Sequence, residues 1–101
     1  MQLVNHNEYQ EVISKDLALV VFFAQWCEPC KILDEMLSKL ENQYDNIDFF
    51  MIDCDENKDL VRELRIISVP TIHIYKKTEL LKVIEGLQTE GALKGTLNLY
   101  G

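Results

Sequence analysis

The sequence has little that bends, staples or spans. Only two prolines and four glycines occur in 101 residues, and every glycine lies at Gly86 or later. A Gly/Pro-rich linker is therefore excluded, and residues 1–101 are expected to form a single domain of ordinary size. Three cysteines are too few and too odd in number for a closed disulfide framework. A chain of this length buries a core without such staples. Long apolar runs are missing too. Leu17-Ala18-Leu19-Val20-Val21-Phe22-Phe23-Ala24 is the longest, far short of the ~20 residues a bilayer needs. Positive charge is scarce, with 10 basic against 17 acidic residues and a formal charge of −7. Nucleic acid and anionic membranes are accordingly not expected partners. The N-terminal residues Met1 to Glu8 lack a basic start followed by an apolar run, so the expected location is cytoplasmic. In that compartment paired cysteines are more often redox-active or metal-binding than structural.

What is present alternates between apolar runs and amphipathic stretches. Leu3-Val4 opens a short strand, and His6 to Ser14 spaces Tyr9, Val12 and Ile13 for one helical face. Leu17 to Ala24 reads as a strand covered on both faces. Lys31 to Tyr44 places Leu33, Met36, Leu37, Leu40 and Tyr44 on one side of a helix. Ile47 to Cys54 is a second buried strand. Glu56 to Leu64 is a helix turning Leu60, Val61 and Leu64 inward, with Asp55 as its N-cap. Thr71 to Tyr75 and Leu80 to Ile84 form a hairpin across Lys76-Lys77-Thr78-Glu79. Thr89 caps a last helix with Ala92, Leu93 and Leu97 inward. The order β-α-β-α-β-α-β-β-α predicts parallel strands joined by crossovers, then an antiparallel hairpin. The fold class is α/β, a three-layer sandwich on a mixed sheet.

The chemistry lies at Trp26-Cys27-Glu28-Pro29-Cys30-Lys31, where the buried strand gives way to the long helix. A helix start presents unpaired N–H groups and the positive end of a dipole, and both favour a thiolate. Cysteines in Cys-x-x-Cys motifs have lowered pKa values for this reason. Pro29 falls in the first turn, where its missing N–H costs nothing. With three-residue spacing, both sulfurs reach one side of that turn and can close a small disulfide ring. A lone Cys-x-x-Cys is also half of many zinc sites. The other half is missing, since only Cys54 and two histidines remain. No metal and no bound cofactor are expected.

Trp26-Cys27-Glu28-Pro29-Cys30-Lys31 after Val20-Val21-Phe22-Phe23-Ala24 resembles the active site of thioredoxins, whose usual motif is Trp-Cys-Gly-Pro-Cys-Lys. Ser68-Val69-Pro70-Thr71 resembles the cis-proline loop of that family. Asp53-Cys54-Asp55 resembles its Asp-x-Asp segment, and Gly86 matches its glycine after the last strand. The resemblance spans the chain and implies the thioredoxin fold, five strands flanked by four helices. It implies a thiol–disulfide oxidoreductase that reduces protein disulfides, with Cys27 an exposed nucleophile and Cys30 a buried resolving thiol. Trp26 would cover the site with its indole N–H near Asp55. Pro70 would be cis, and the Val69 backbone would pair an extended substrate segment. Glu28, Pro29 and Gly86 would complete the substrate surface. The implied partners are protein disulfides and a flavin-dependent thioredoxin reductase, with the chain itself a monomer.

Several positions depart from the family pattern. Val21 stands where thioredoxins bury an aspartate beneath the dithiol, and Met51 where they carry its lysine neighbour. The family assigns that acid a part in moving the proton of the resolving thiol, so Cys30 lacks an obvious base. Removing a buried negative charge favours a nearby thiolate, whereas Glu28 between the cysteines disfavours one. The expected outcome is a modestly altered redox potential. Glu35 replaces the family's kink proline, so the helix is expected to be straighter. Glu85 before Gly86 joins Glu28 in making the groove acidic, a bias against acidic partners. Cys54 reads as a small core residue in its strand, and His73 as a hydrogen-bonded buried histidine. Two other readings stay open: an oxidase or isomerase, and a thioredoxin-fold binding module with little redox role.

Overall fold

The structure, a computed structural model, describes residues 1–101. Its elements are β1 (Gln2–Leu3), α1 (Tyr9–Ile13), β2 (Ala18–Phe23), α2 (Glu28–Leu40), β3 (Asp48–Asp53), α3 (Lys58–Glu63), β4 (Thr71–Lys76), β5 (Glu79–Glu85) and α4 (Glu90–Tyr100). The strands form one sheet in the order β1-β3-β2-β4-β5. β1 and β2 each run parallel to β3, while β4 runs antiparallel to β2 and β5. This is the expected mixed sheet.

Strand alternation divides the core between the two faces of the sheet. Leu19 and Val21 point to one side, where they join Leu33 and Leu37 of α2 and Leu93 and Leu97 of α4. Val20 and Phe22 point to the other, against Tyr9 and Val12 of α1 and Leu60 of α3. β2 thus has almost no exposed side chain, which is why its sequence is a continuous apolar run.

Local boundaries differ from expectation in instructive ways. A 3-10 turn at His6–Glu8 precedes α1, held by a capping box. Glu8 N donates to Asn5 Oδ1 and Asn5 N to Glu8 Oε1. α2 begins at Glu28, not Lys31, because Cys27 itself is the N-cap. It is unbroken to Leu40, as the absence of a proline at Glu35 allows. Tyr44 lies beyond its end, yet still packs against the core. Asp55 does not cap α3; Asn57 holds that place without a side-chain cap bond. Ala92 faces solvent, although Thr89 Oγ1 does accept from Ala92 N at 3.1 Å.

The hairpin turn places Lys77 and Thr78 at φ 47° and 74°. Positive φ at both central residues gives the twist that joins antiparallel strands. A β-branched residue is strained there. Tertiary bonds hold the turn: Lys77 N donates to Lys15 O at 3.0 Å and Thr78 N to Ile13 O at 2.7 Å.

One polar chain crosses the core on the α1–α3 side. The hydroxyls of Tyr9 and Tyr75 are hydrogen-bonded, and the Tyr75 hydroxyl lies 3.0 Å from His73 Nδ1. Burial raises the pKa of both phenols and pushes the His73 imidazole down to about 4. His73 also meets Phe22 edge-on at 4.9 Å between ring centres.

Candidate active site

β2 carries the chain to Ala24, whose carbonyl accepts from Cys27 N at 3.1 Å. This tight turn starts α2 directly on the first cysteine. Cys27 and Cys30 form a disulfide with 5.3 Å between Cα atoms. Cys27 Sγ accepts from Cys30 N at 3.2 Å. That N–H is one of the unpaired donors of a helix start, and it points at the atom that bears negative charge once the bond is reduced. The helix start therefore stabilises a thiolate at Cys27.

The expectation of an exposed Cys27 beside a buried Cys30 is corrected: both are 4% exposed. Closing the ring draws Cys27 Sγ against the first turn of α2, and the two cysteines pack with Ala24, Phe23 and Val69. Trp26 is 70% exposed, and its indole Nε1 donates to Asp55 Oδ2 at 3.0 Å, the contact the resemblance implies.

Two residues before Asp55 stands a further residue that organises the site. Asp53, 6% exposed at the end of β3, accepts from Gln25 Nε2 at 3.2 Å and from Asp55 N at 2.9 Å. Asn57 Nδ2 donates to its carbonyl at 2.8 Å, while Asn57 Oδ1 accepts from His6 N at 2.9 Å. Asp53 thus ties the loop before the dithiol to the sheet and, through Asn57, to the N-terminal turn. The signal for it was an acid closing an apolar strand, a place where a buried charge needs several donors.

The Val69–Pro70 peptide is cis. Pro70 is buried, and its carbonyl accepts from Gly86 N at 2.8 Å. Gly86 has φ +85°, a conformation that calls for glycine. Val69 reaches the dithiol cluster, so the loop and Gly86 stand beside the cysteines. Glu85 Oε2 accepts from Ser68 Oγ at 3.4 Å. Glu28 is exposed and paired with Lys31 Nζ at 3.0 Å. That pairing offsets part of its charge, although such a surface pair contributes little to stability. Pro29 is exposed in the first turn of α2.

Val21 and Met51 are in register across β2 and β3, at the places of the missing buried pair. Val21 is fully inside the core. Met51 borders an open cleft of about 310 Å³ that also exposes Cys30 and Asp34. Nowhere do three or more His, Cys, Asp or Glu side chains converge to hold a metal.

Cys54 lies in the turn after β3 and not within the strand. It is half-buried, and burial first, then the charges of Asp53 and Asp55, push its thiol up to about 11. At about pH 8 that leaves roughly 100-fold less thiolate than an ordinary cysteine carries. Iodoacetamide treatment of the oxidised protein is expected to modify Cys54 about 100-fold more slowly than a free peptide cysteine. Mass spectrometry of timed samples checks this.

A thioredoxin family model matches residues 1–98. The thioredoxin of Porphyra purpurea is 33% identical over 101 aligned positions, covering 98% of this chain and 94% of that protein. A mitochondrial thioredoxin-3 of Saccharomyces cerevisiae is 32% identical, covering 97% and 78%. A Plasmodium falciparum thioredoxin structure superposes with TM-score 0.93 at 29% identity and 100% coverage of both chains. No helix is long and apolar enough to cross a membrane. With the family model spanning nearly all of it and a closed Cys-x-x-Cys pair at the head of α2, the chain belongs to the thioredoxin family and is a thiol–disulfide oxidoreductase.

Proposed function

We propose that this chain reduces protein disulfides in a reducing compartment, the cytoplasm, as a one-domain monomer. The observation that carries the reading is the Cys30 N–H directed at Cys27 Sγ. It supports Cys27 as the thiolate that attacks. Cys27 thiolate displaces one substrate sulfur as a thiolate and forms a mixed disulfide with the other. Cys30 thiolate then attacks Cys27 Sγ, the second substrate thiolate leaves, and the Cys27–Cys30 bond closes. Two electrons pass to the substrate. A flavin-dependent thioredoxin reductase returns them, in keeping with how the family generally works.

Trp26, Glu28, Pro29, Val69, Pro70 and Gly86 make the surface that meets the substrate. The Val69 backbone receives an extended segment by strand addition. Asp55 supports the site by holding the Trp26 indole. A free, high-pKa Cys54 is compatible with a compartment where thiols stay reduced.

Equilibration of the protein with glutathione buffers tests the direction. A reductant is expected near roughly −270 mV, whereas a value at or above about −180 mV would place it among isomerases and oxidants. Glu28→Gly in the same buffers gives the contribution of that carboxylate. An unchanged potential removes Glu28 from the account.

A further inference from the structure

Resolution of the mixed disulfide needs Cys30 as a thiolate, because the thiol is not the nucleophile. At neutral pH the Cys30 proton must go somewhere. At the places where the family keeps a buried acid and its lysine, β2 and β3 carry Val21 and Met51, neither of which can take a proton. Three nearby carboxylates are already engaged: Asp53 by Gln25 and Asp55 N, Asp55 by the Trp26 indole, and Glu28 by Lys31.

Asp34 differs from these. It follows Cys30 by four residues on α2, so the two side chains share a helix face with Cβ atoms roughly 5–6 Å apart. Both border the same cleft of about 310 Å³, ample for water, which needs only about 10–15 Å³. Asp34 is half-buried and accepts one long hydrogen bond, from Ser38 Oγ at 3.4 Å. Its remaining lone pairs are free to face the cleft. The groups around it are neutral except Lys31, on the same helix: Phe23 from β2, Gln25 from the loop and Met51 from β3.

We propose that Asp34 is the proton acceptor for the Cys30 thiol, acting through water in the cleft they share. The Cys30 proton passes to water and from that water to the Asp34 carboxylate. Cys30 thiolate then attacks Cys27 Sγ, and the Cys27–substrate bond breaks. The departing substrate thiolate takes up a proton, and Asp34 returns its own to solvent. No oxidant or further reactant is required. The inference rests on Cys30 being the resolving thiol.

Prereduced protein mixed with the disulfide of nitrothiobenzoate releases one coloured thiolate at each step. The second phase is identified by its independence of reagent concentration. Asp34→Asn is expected to leave the first phase unchanged. It is expected to slow the second by roughly 10²-fold at about pH 6, the lower end of general-base effects. The gap should close above about pH 9, where a thiol ionises unaided. Asp34→Glu should recover most of the rate. A second phase equal in wild type and Asp34→Asn overturns the proposal, as does slowing by the same factor at every pH. A wild-type protein with no second phase would instead overturn the role of Cys30 itself.

Discussion

Cys27→Ser will bring disulfide reduction down to background, while Cys30→Ser will react once and stop as a covalent adduct. The asymmetry follows from the head of α2. Only Cys27 Sγ occupies the N-cap place and receives the Cys30 N–H. Serine at that position keeps the cap, since its hydroxyl accepts the same bond. It has no thiolate to offer, so fold and activity separate cleanly in this variant. In Cys30→Ser the attacking sulfur is intact, and what is lost is the group that breaks the mixed disulfide. Incubation with a disulfide-containing protein, followed by non-reducing electrophoresis, is expected to show a reducible adduct with Cys30→Ser and none with Cys27→Ser. Adducts of equal yield from both variants would refute the assignment. Partner association that ignores both cysteines would favour the binding-module reading.

Acid is expected to weaken the fold through His73. The ring is 4% exposed between β2 and β5 in the sheet, and burial pushes it down to about 4 from an ordinary 6.5. Between those values the unfolded chain takes up a proton that the native state refuses. The stability contributed by the neutral ring is whole above about pH 6.5 and is lost as pH falls towards 4. The full interval corresponds to about 3 kcal/mol. That is a large share of the roughly 5–15 kcal/mol a domain possesses. Tyr75 meets the ring and Tyr9 meets Tyr75, both neutral throughout this range because burial raises them, while Arg65 and Glu85 line the pocket that His73 borders beside β5. Urea unfolding at about pH 7.5 and pH 4 will therefore show a steeper loss for the wild type than for His73→Gln. Carboxylates titrate in both proteins, so the difference isolates the histidine. Parallel losses would remove His73 as the cause.

Much of this architecture is legible in the residues, because local pattern and tertiary demand agree. The nine-element order follows from apolar periodicity, and the site from two motifs separated by one sheet. Elsewhere a choice is settled by contacts distant in sequence. Asp55 and Asn57 are both helix-cap types, yet neither side chain caps α3: Asp55 accepts from the Trp26 indole, and Asn57 bonds to His6 N and Asp53 O. Tyr9 and Tyr75 meet across 66 residues, and neither position announces the other. The resemblance implies an exposed Cys27, yet in the closed pair it packs with Ala24, Phe23 and Val69. Ala92 fits the apolar period of α4, but Leu93 and Leu97, with Tyr100 partly buried beside them, are what that helix packs into the core. Asp34 was readable in principle, four residues after Cys30. Its relevance appears only when a cleft is found to join them.

Each cysteine of the closed pair is only 4% exposed, and this constrains traffic at the site. A protein disulfide of the kind proposed would have to seat itself against Val69 and the head of α2 to reach the closed pair. Oxidant and reductant therefore have to use the same approach. On the proposed function, the electron donor and the electron acceptor would exclude one another, and each catalytic cycle would require one complete dissociation between the two encounters.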